Sequence, residues 1–257
     1  MLRFERAAAR EGHTLIAGVD EAGRGPLAGP VVAAAVILPT ALRIPGVIDS
    51  KLLRPAQRIA AFNRIIEQAV AIGLGVVSAA QIDAMNIYQA SKLAAQLAVQ
   101  QLCPAPDFLL TDALPLDSVE IPFQAIIKGD SQSQSIAAAS IVAKVTRDRI
   151  MASYDQDYPQ YDFIHNKGYA CPKHLDAIAE FGASTLHRHT FKGVVWFDQE
   201  IIHSQTFHAM CKRLRSSRTE AQMQQLRHML VHLNTYLPQR EIYTLHARIS
   251  EQEARLG

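Results

Sequence analysis

Leu15-Ile16-Ala17-Gly18-Val19-Asp20-Glu21-Ala22-Gly23-Arg24-Gly25-Pro26-Leu27-Ala28-Gly29-Pro30 is the stretch around which this chain is organised. It opens as an apolar run, ends in two adjacent carboxylates and turns through Gly, Arg and Pro. A second apolar run, Val31 to Leu38, then leads away. Apolar runs of this length bounded by turn residues read as buried strands. Two carboxylates at the end of such a strand repel one another and are costly to desolvate unless a cation joins them. Hard divalent cations such as Mg2+ take oxygen ligands of this kind. The stretch therefore reads as half a metal site followed by a glycine turn that exposes its backbone. A dinucleotide-binding loop is excluded, because that motif needs a helix starting at its glycines. Here Pro26 and Pro30 punctuate the turn, and Gly29 follows Gly25 by four residues rather than three.

The 257 residues suffice for one substantial domain with an appendage, or two small ones, and a 49% hydrophobic content supports a sizeable core. No apolar segment is long and uncharged enough to span a bilayer, and no secretory signal opens the chain. Cys103, Cys171 and Cys211 are too few and too far apart for a disulfide framework or a zinc site. A cytoplasmic protein with no membrane contact is expected. Residues 1–198 hold 18 Lys+Arg against 19 Asp+Glu, a balance of −1, while residues 199–257 hold 8 against 5, a balance of +3. The net charge of +2 thus comes from the tail.

Residues 1–13 form a short polar lead with no evident motif. After the first hairpin, Asp49-Ser50-Lys51 precedes a predicted helix from Pro55 to Ile72, with Ile59, Phe62, Ile65, Ile66 and Ala69 on one face. On the residues alone, Asp49-Ser50-Lys51 is a helix cap with a solvated Lys. Gly73 to Ser78 reads as a third strand and Ile87 to Leu102 as a helix. Phe108 to Thr111 is a short strand ending in Asp112. Ile121 to Ile127 is another, ending in Lys128-Gly129-Asp130. A single acid at a strand end is usually a cap or turn former. Four acids at the ends of three strands point instead to a ligand, since ligands of sheets with helical crossovers gather at strand ends. Neighbours on a regular strand face opposite ways, so Asp20 and Glu21 share a metal only if the strand loses regularity between them. The glycine turn offers a place for that lapse.

Ser131 to Tyr154 is predicted as a helix apolar over most of its circumference, with Ser140, Lys144 and Arg147 on one side at i, i+4, i+7 as a solvated or ion-paired stripe. His165-Asn166-Lys167-Gly168-Tyr169 and a helix from Pro172 to Phe181 follow. Taken alone, Tyr169 is half-buried packing, and His187, Arg188 and His189 form an exposed polar turn. In the tail, Lys212 to Arg218 reads as a basic linker. Met223, Leu226, Leu230, Leu233 and Leu237 repeat at spacings of 3 and 4, Pro238 ends the stripe, and Ile242, Leu245 and Ile249 repeat it. A helical hairpin is expected, either packed on the first domain or presenting Lys212, Arg213, Arg215 and Arg218 to duplex phosphates.

Asp20-Glu21-Ala22-Gly23-Arg24-Gly25 resembles the signature of ribonuclease HII, the type 2 ribonuclease H family. Asp49-Ser50-Lys51, Ser140-Ile141-Val142-Ala143-Lys144 and Lys167-Gly168-Tyr169 are similar to further segments of that family in the same order, so the resemblance runs from Leu15 to about Phe197. It implies an α/β ribonuclease H-like mixed sheet flanked by helices, with antiparallel strands first and shorter parallel ones after. Residues 1–198 would be the catalytic domain and residues 199–257 a helical, basic C-terminal extension. The implied activity is endonucleolytic cleavage of the RNA strand of RNA–DNA hybrids, and cleavage at ribonucleotides embedded in duplex DNA, leaving 5′-phosphate and 3′-hydroxyl ends. Asp20, Glu21, Asp112 and Asp130 become the catalytic, metal-holding acids, with Mg2+ or Mn2+ in a two-ion site. Gly23, Arg24, Gly25, Lys51, Lys144 and Tyr169 become substrate contacts. A monomer is expected. Ribonuclease HIII carries an N-terminal binding domain, and only a short lead precedes Leu15 here. A non-catalytic binding protein on this scaffold would lack one of the acids. The acids alone also suit a metal-dependent phosphatase, but the resemblance of the glycine turn and Tyr169 favours a polymer containing ribose.

Overall fold

The computed structural model describes residues 1–39, 42–194, 205–233, 237 and 239–256. Its strands are β1 (Ile16–Ala22), β2 (Val31–Ile37), β3 (Ala71–Val77), β4 (Phe108–Asp112) and β5 (Phe123–Ile126). Its helices are α1 (Arg3–Arg10), α2 (Pro55–Gln68), α3 (Ala79–Met85), α4 (Ile87–Gln100), α5 (Gln134–Asp157), α6 (Phe163–Asn166), α7 (Pro172–Phe181), α8 (Gln205–Ser216), α9 (Glu220–Leu233) and α10 (Gln239–Leu256). The sheet order is β3-β2-β1-β4-β5. β1, β2 and β3 pair antiparallel, while β4 lies parallel to β1 and β5 parallel to β4. This is the mixed sheet that the sequence implies.

Both faces of the sheet are covered, so β2 is buried along its whole length. Its residues alternate between two cores. Val31, Ala33, Ala35 and Ile37 pack with Ala90, Ala94, Ala95 and Ala98 of α4. Ala34 and Val36 pack with α5, from Ala137 to Val145, and with Ala61 and Ile65 of α2. The two helices lie directly on strand backbone. A Cβ at Gly18 of β1 would stand 2.0 Å from the carbonyl carbon of Ser135 in α5, and one at Gly75 of β3 would stand 1.9 Å from the carbonyl oxygen of Ala94 in α4. Glycine at Gly18 brings the polar side of α5 to the end of β1.

Several local expectations change. The lead forms α1, and the buried Glu5 accepts hydrogen bonds from Ser133 Oγ (2.7 Å) and the Ser135 amide (2.9 Å) at the start of α5. Helix α2 ends at Gln68 rather than Ile72, because the Val70 amide bonds to the Ile37 carbonyl and draws the chain into β3. Ile59 and Ile66, expected on its apolar face, are about half exposed. Helix α5 starts at Gln134, capped by Ser133, after Ser131 has been taken into a 3-10 turn, Gly129–Ser131. That turn also holds Asp130, which therefore sits four residues beyond β5 and not at its end.

The chain divides into two compact units, Met1–Leu175 with Ala183–Trp196, and Asp176–Gly182 with Phe197–Gly257. The boundary expected at 198/199 lies outside the described residues, as do Trp196 and Pro238. In the second unit the expected linker forms the C-terminal part of α8 and the turn after it, and among the described residues α8, α9 and α10 replace the expected hairpin. The Met223–Leu237 stripe is buried among Phe207, Met210 and Leu214 of α8 and Ile242, Leu245 and Ile249 of α10. Arg215 pairs with Glu180, and Arg218 donates to the carbonyls of Arg215 and Ser217, whereas Lys212 is exposed. None of the described helices is long and apolar enough to cross a membrane.

The contact at Gly18 makes a direct prediction. Gly18→Ala forces α5 off the sheet and costs about 3 kcal/mol, a fall of about 10 °C in Tm. Gly25→Ala meets only the Tyr169 ring at 3.9 Å and keeps wild-type stability. Thermal denaturation of the two variants checks both.

Candidate active site

Parallel pairing brings the two acidic strand ends together. Val19 of β1 stands opposite Thr111 of β4, so the next residues, Asp20 and Asp112, lie side by side where the β1–β4 pairing ends. The turn after β5 adds Asp130, and the Gly129 amide donates to Asp112 Oδ1 at 2.7 Å. One carboxylate oxygen from each of Asp20, Asp112 and Asp130 lies within 4.8 Å of the others. Asp20 and Asp130 are buried. Burial, then the charges of Glu21 and Asp112, raise the Asp20 carboxyl well above its ordinary value. Burial also raises Asp112. Lys51 Nζ donates to Asp130 Oδ2 at 3.2 Å. Burial opposes its charge, but Asp130 and then Asp20 outweigh it and hold the Lys51 pKa above the ordinary value. The site is an anionic pocket with one lysine at its rim, and its donor set suits a hard divalent cation.

Glu21 stands apart from this trio. Strand β1 keeps its register with β2 through Asp20, Glu21 and Ala22, so the expected lapse of regularity does not occur and the two side chains start from opposite faces. The Glu21 amide donates to Asp20 Oδ1 (2.7 Å), and its carboxylate accepts from Arg24 at 3.1 Å. Burial raises the Glu21 pKa, Arg24 opposes the rise, and Asp112 adds to it, which keeps Glu21 electrostatically part of the cluster.

The polar side of α5 faces this end of the sheet. Ser140 is buried, bonds to Ser50 Oγ at 2.9 Å and offers its hydroxyl to Asp20. Lys144 pairs with Asp148 at 2.6 Å and lies 5.9 Å from the centre of the Tyr169 ring. Arg147 overturns the expectation of a solvated stripe. It is fully buried and donates to the carbonyls of Pro30 (2.9 Å), Lys167 (3.0 Å) and Ala28 (3.0 Å). Gly23, at φ +99°, leaves room for it, since a Cβ there would stand 2.1 Å from Arg147 Nε.

His187 and Arg188, expected in an exposed turn, are also fully buried. Arg188 grips the glycine turn from inside, donating to the carbonyls of Gly23 (2.5 Å), Arg24 (2.9 Å) and Gly29 (3.0 Å). Burial, then Arg147, pull its pKa down to about 9. His187 accepts from the Ser184 amide at Nδ1 (2.9 Å) and its Nε2 meets His174 Nε2 at 3.1 Å. His174 Nδ1 in turn donates to the Tyr169 carbonyl at 2.9 Å. This chain fixes both tautomers, with both rings neutral. Burial, then His174, pull His187 down to about 3, and burial lowers His174. Tyr169 itself is 44% exposed, anchored through its backbone with its ring free. Arg147, Arg188 and His174 escaped the sequence reading because their partners are carbonyls, which carry no sequence signature, and His187 because its partners are Ser184 and His174.

Comparison with known proteins agrees with the geometry. A family model described as Ribonuclease HII matches residues 17–194. A ribonuclease HII from Enterococcus faecalis is 54% identical over 191 residues, covering 74% of this chain and 74% of that protein. One from Geotalea uraniireducens is 53% identical over 194 residues, covering 76% and 90%. The crystal structure of the ribonuclease H2 from Pyrococcus horikoshii OT3 aligns with a TM-score of 0.61 at 30% identity, covering 71% of this chain and 96% of that one. The match spans all four acids, the glycine turn and both buried arginines, and the chain belongs to the ribonuclease HII family of metal-dependent endoribonucleases, which act on RNA–DNA hybrids.

Proposed function

We propose that Asp20, Asp112 and Asp130, with Glu21 adding charge beside them, hold the catalytic metal of this endoribonuclease, Mg2+ or Mn2+ in a two-ion site, and that the glycine turn with Tyr169 selects the ribose. The observation that carries the metal reading is the trio of carboxylates within 4.8 Å, two of them buried. Without a cation these groups repel, and the raised pKa values of Asp20 and Asp112 express that cost. Bound divalent ions supply Lewis-acid stabilisation of the scissile phosphate and activation of water. Asp20 and Asp112 are the principal holders, from adjacent strand ends, Asp130 closes the group and Glu21 adds charge from the other face of β1. Lys51, at the rim, is placed to meet a substrate phosphate, and Lys144 lies beside Tyr169 for the same task.

Ribose selection is read from what the glycines leave open. Gly25 has no positive φ, and a Cβ there would meet only Tyr169, so the fold itself does not require glycine. Its missing side chain serves the close approach of something else. A 2′-hydroxyl, which both donates and accepts, is the group that separates RNA from DNA locally. The Tyr169 ring is exposed beside Gly25 to stack on the adjoining sugar or base. On this reading the enzyme cleaves both RNA–DNA hybrids and duplex DNA carrying a single ribonucleotide, leaving 5′-phosphate and 3′-hydroxyl ends. Residues 1–198 form the catalytic domain, and residues 199–257 a helical extension in which exposed Lys212 and Arg213 can meet backbone phosphates. A cytoplasmic location, supported by three unpaired thiols, and a monomeric state complete the assignment.

Two experiments test this. Asp20→Asn and Asp112→Asn are expected to lower cleavage of a single-ribonucleotide duplex about a thousandfold with fold and duplex binding retained, and chelator is expected to abolish wild-type cleavage. Wild-type turnover in Asp20→Asn at saturating Mg2+ contradicts the metal assignment. Tyr169→Ala and Gly25→Ala are each expected to lower cleavage at a lone ribonucleotide about tenfold with metal affinity unchanged. Equal cleavage of an all-DNA duplex and a ribonucleotide-containing one by the wild type contradicts the account of selectivity.

A further inference from the structure

Arg188 has an unusual set of partners. It is fully buried, and its guanidinium makes four hydrogen bonds, all to main-chain carbonyls: Gly23, Arg24 and twice Gly29. Among the described residues no carboxylate forms an ion pair with it. A second buried cation, Arg147, lies behind the same turn on carbonyls alone. Two buried guanidiniums that form no ion pair among the described residues are a costly way to stabilise a loop, since apolar packing does as well or better where only stability is needed. What a planar, multiply donating guanidinium provides beyond packing is direction, because it fixes where each carbonyl points.

The direction of a carbonyl fixes that of the amide across the same bond. The peptides of the turn are trans, and in a trans peptide the N–H points opposite to the C=O. Drawing the Gly23 and Arg24 oxygens inward onto Arg188 therefore turns the N–H groups of Arg24 and Gly25 outward. Arg24 and Gly25 are exposed, and among the described residues neither amide has an acceptor. Two successive free N–H groups pointing one way make a compact donor site for an oxygen. It lies beside the Tyr169 ring, 3.9 Å from where a Gly25 Cβ would stand. The ring's own backbone is tied from the same interior, through Arg147 on the Lys167 carbonyl and His174 on the Tyr169 carbonyl.

We propose that Arg188 is the positioning residue for ribose selection: from inside the turn it aims the amides of Arg24 and Gly25 at the 2′-oxygen of the substrate. This rests on the reading above that the glycine turn faces the ribose. Arg188 touches no substrate and acts through the turn. Arg188→Lys keeps the charge, but a compact ammonium on a flexible stem lacks the rigid planar fork that fixes the direction of the three carbonyls.

The test is binding by the full chain of two duplexes, one all-DNA and one identical but for a single ribonucleotide, in Ca2+ under conditions where no product forms. The wild type is expected to prefer the ribonucleotide duplex. Arg188→Lys is expected to lose about tenfold of that preference, with affinity for the all-DNA duplex and for Ca2+ unchanged. A merely structural arginine would weaken both duplexes by the same factor, and that outcome, or a retained preference, overturns the proposal. A wild type with no preference defeats the underlying reading first, and the proposal with it. Amide exchange in the wild type needs no variant. The Arg24 and Gly25 amides are expected to exchange freely in the free protein and to be slowed by the ribonucleotide duplex alone. Amides already protected in the free protein overturn the proposal.

Discussion

Parallel strands that each end in a carboxylate put negative charge on negative charge in a place water barely reaches. Asp20 and Asp112 lie side by side where the pairing of β1 with β4 ends, Asp130 joins them from the turn after β5, and burial raises the pKa of Asp20 and Asp112. The surrounding elements are arranged around that unfavourable cluster. The Gly129 amide donates to Asp112, Ser140 to Asp20, and Lys51 to Asp130. The helix that brings Ser140 there can approach only because β1 carries glycine at Gly18. Partial compensation of this kind leaves a residual demand for positive charge, which a divalent cation meets. On the proposed assignment, the metal dependence of the family has a local physical cause in this cluster.

A different logic governs the neighbouring turn. There the buried charges are positive, Arg147 and Arg188, and their partners are carbonyl dipoles rather than acids. The acid cluster and the arginine pair lie at the two ends of one short stretch, Asp20 to Pro30. The acids provide a site that wants a cation. The arginines provide a rigid backbone surface with its donors turned out. The neutral pair His174 and His187 extends that rigid interior to Tyr169. A metal site beside a shaped donor surface is what selective hydrolysis of one linkage in a long, repetitive polymer calls for.

Much of this was legible in the sequence, and the reasons differ by feature. Strands were legible because β2 and β4 are apolar runs bounded by turn residues, and the mixed sheet followed from the family resemblance. The acids were legible because carboxylates at apolar strand ends violate the usual partition of polar groups. The distinction between Asp20 and Glu21 was not, because it depends on whether β1 stays regular past Asp20, which pairing with β2 decides. The end of α2 escaped for a similar reason: one hydrogen bond from Val70 to Ile37 overrides a continuing helical pattern. Arg188, between two histidines, looks like any exposed polar turn. Only its long-range partners, more than 150 residues away in the chain, reveal it as interior.

Burial and mutual repulsion favour the protonated form of these acids, and a bound cation favours the ionised form. Because Asp20, Glu21 and Asp112 are raised in the fold, the metal-free protein binds more protons than the unfolded chain. Its stability falls as pH climbs from the ordinary carboxylate range through those raised values. Cation binding must expel the same protons. Calorimetric titration with Mn2+ in buffers of different ionisation enthalpy, from about pH 5 upward, reads this directly. The account predicts proton release at the acid end, vanishing as pH rises past the raised values, with affinity increasing over the same interval. Binding that releases no proton at any pH, with an affinity indifferent to pH, would contradict it.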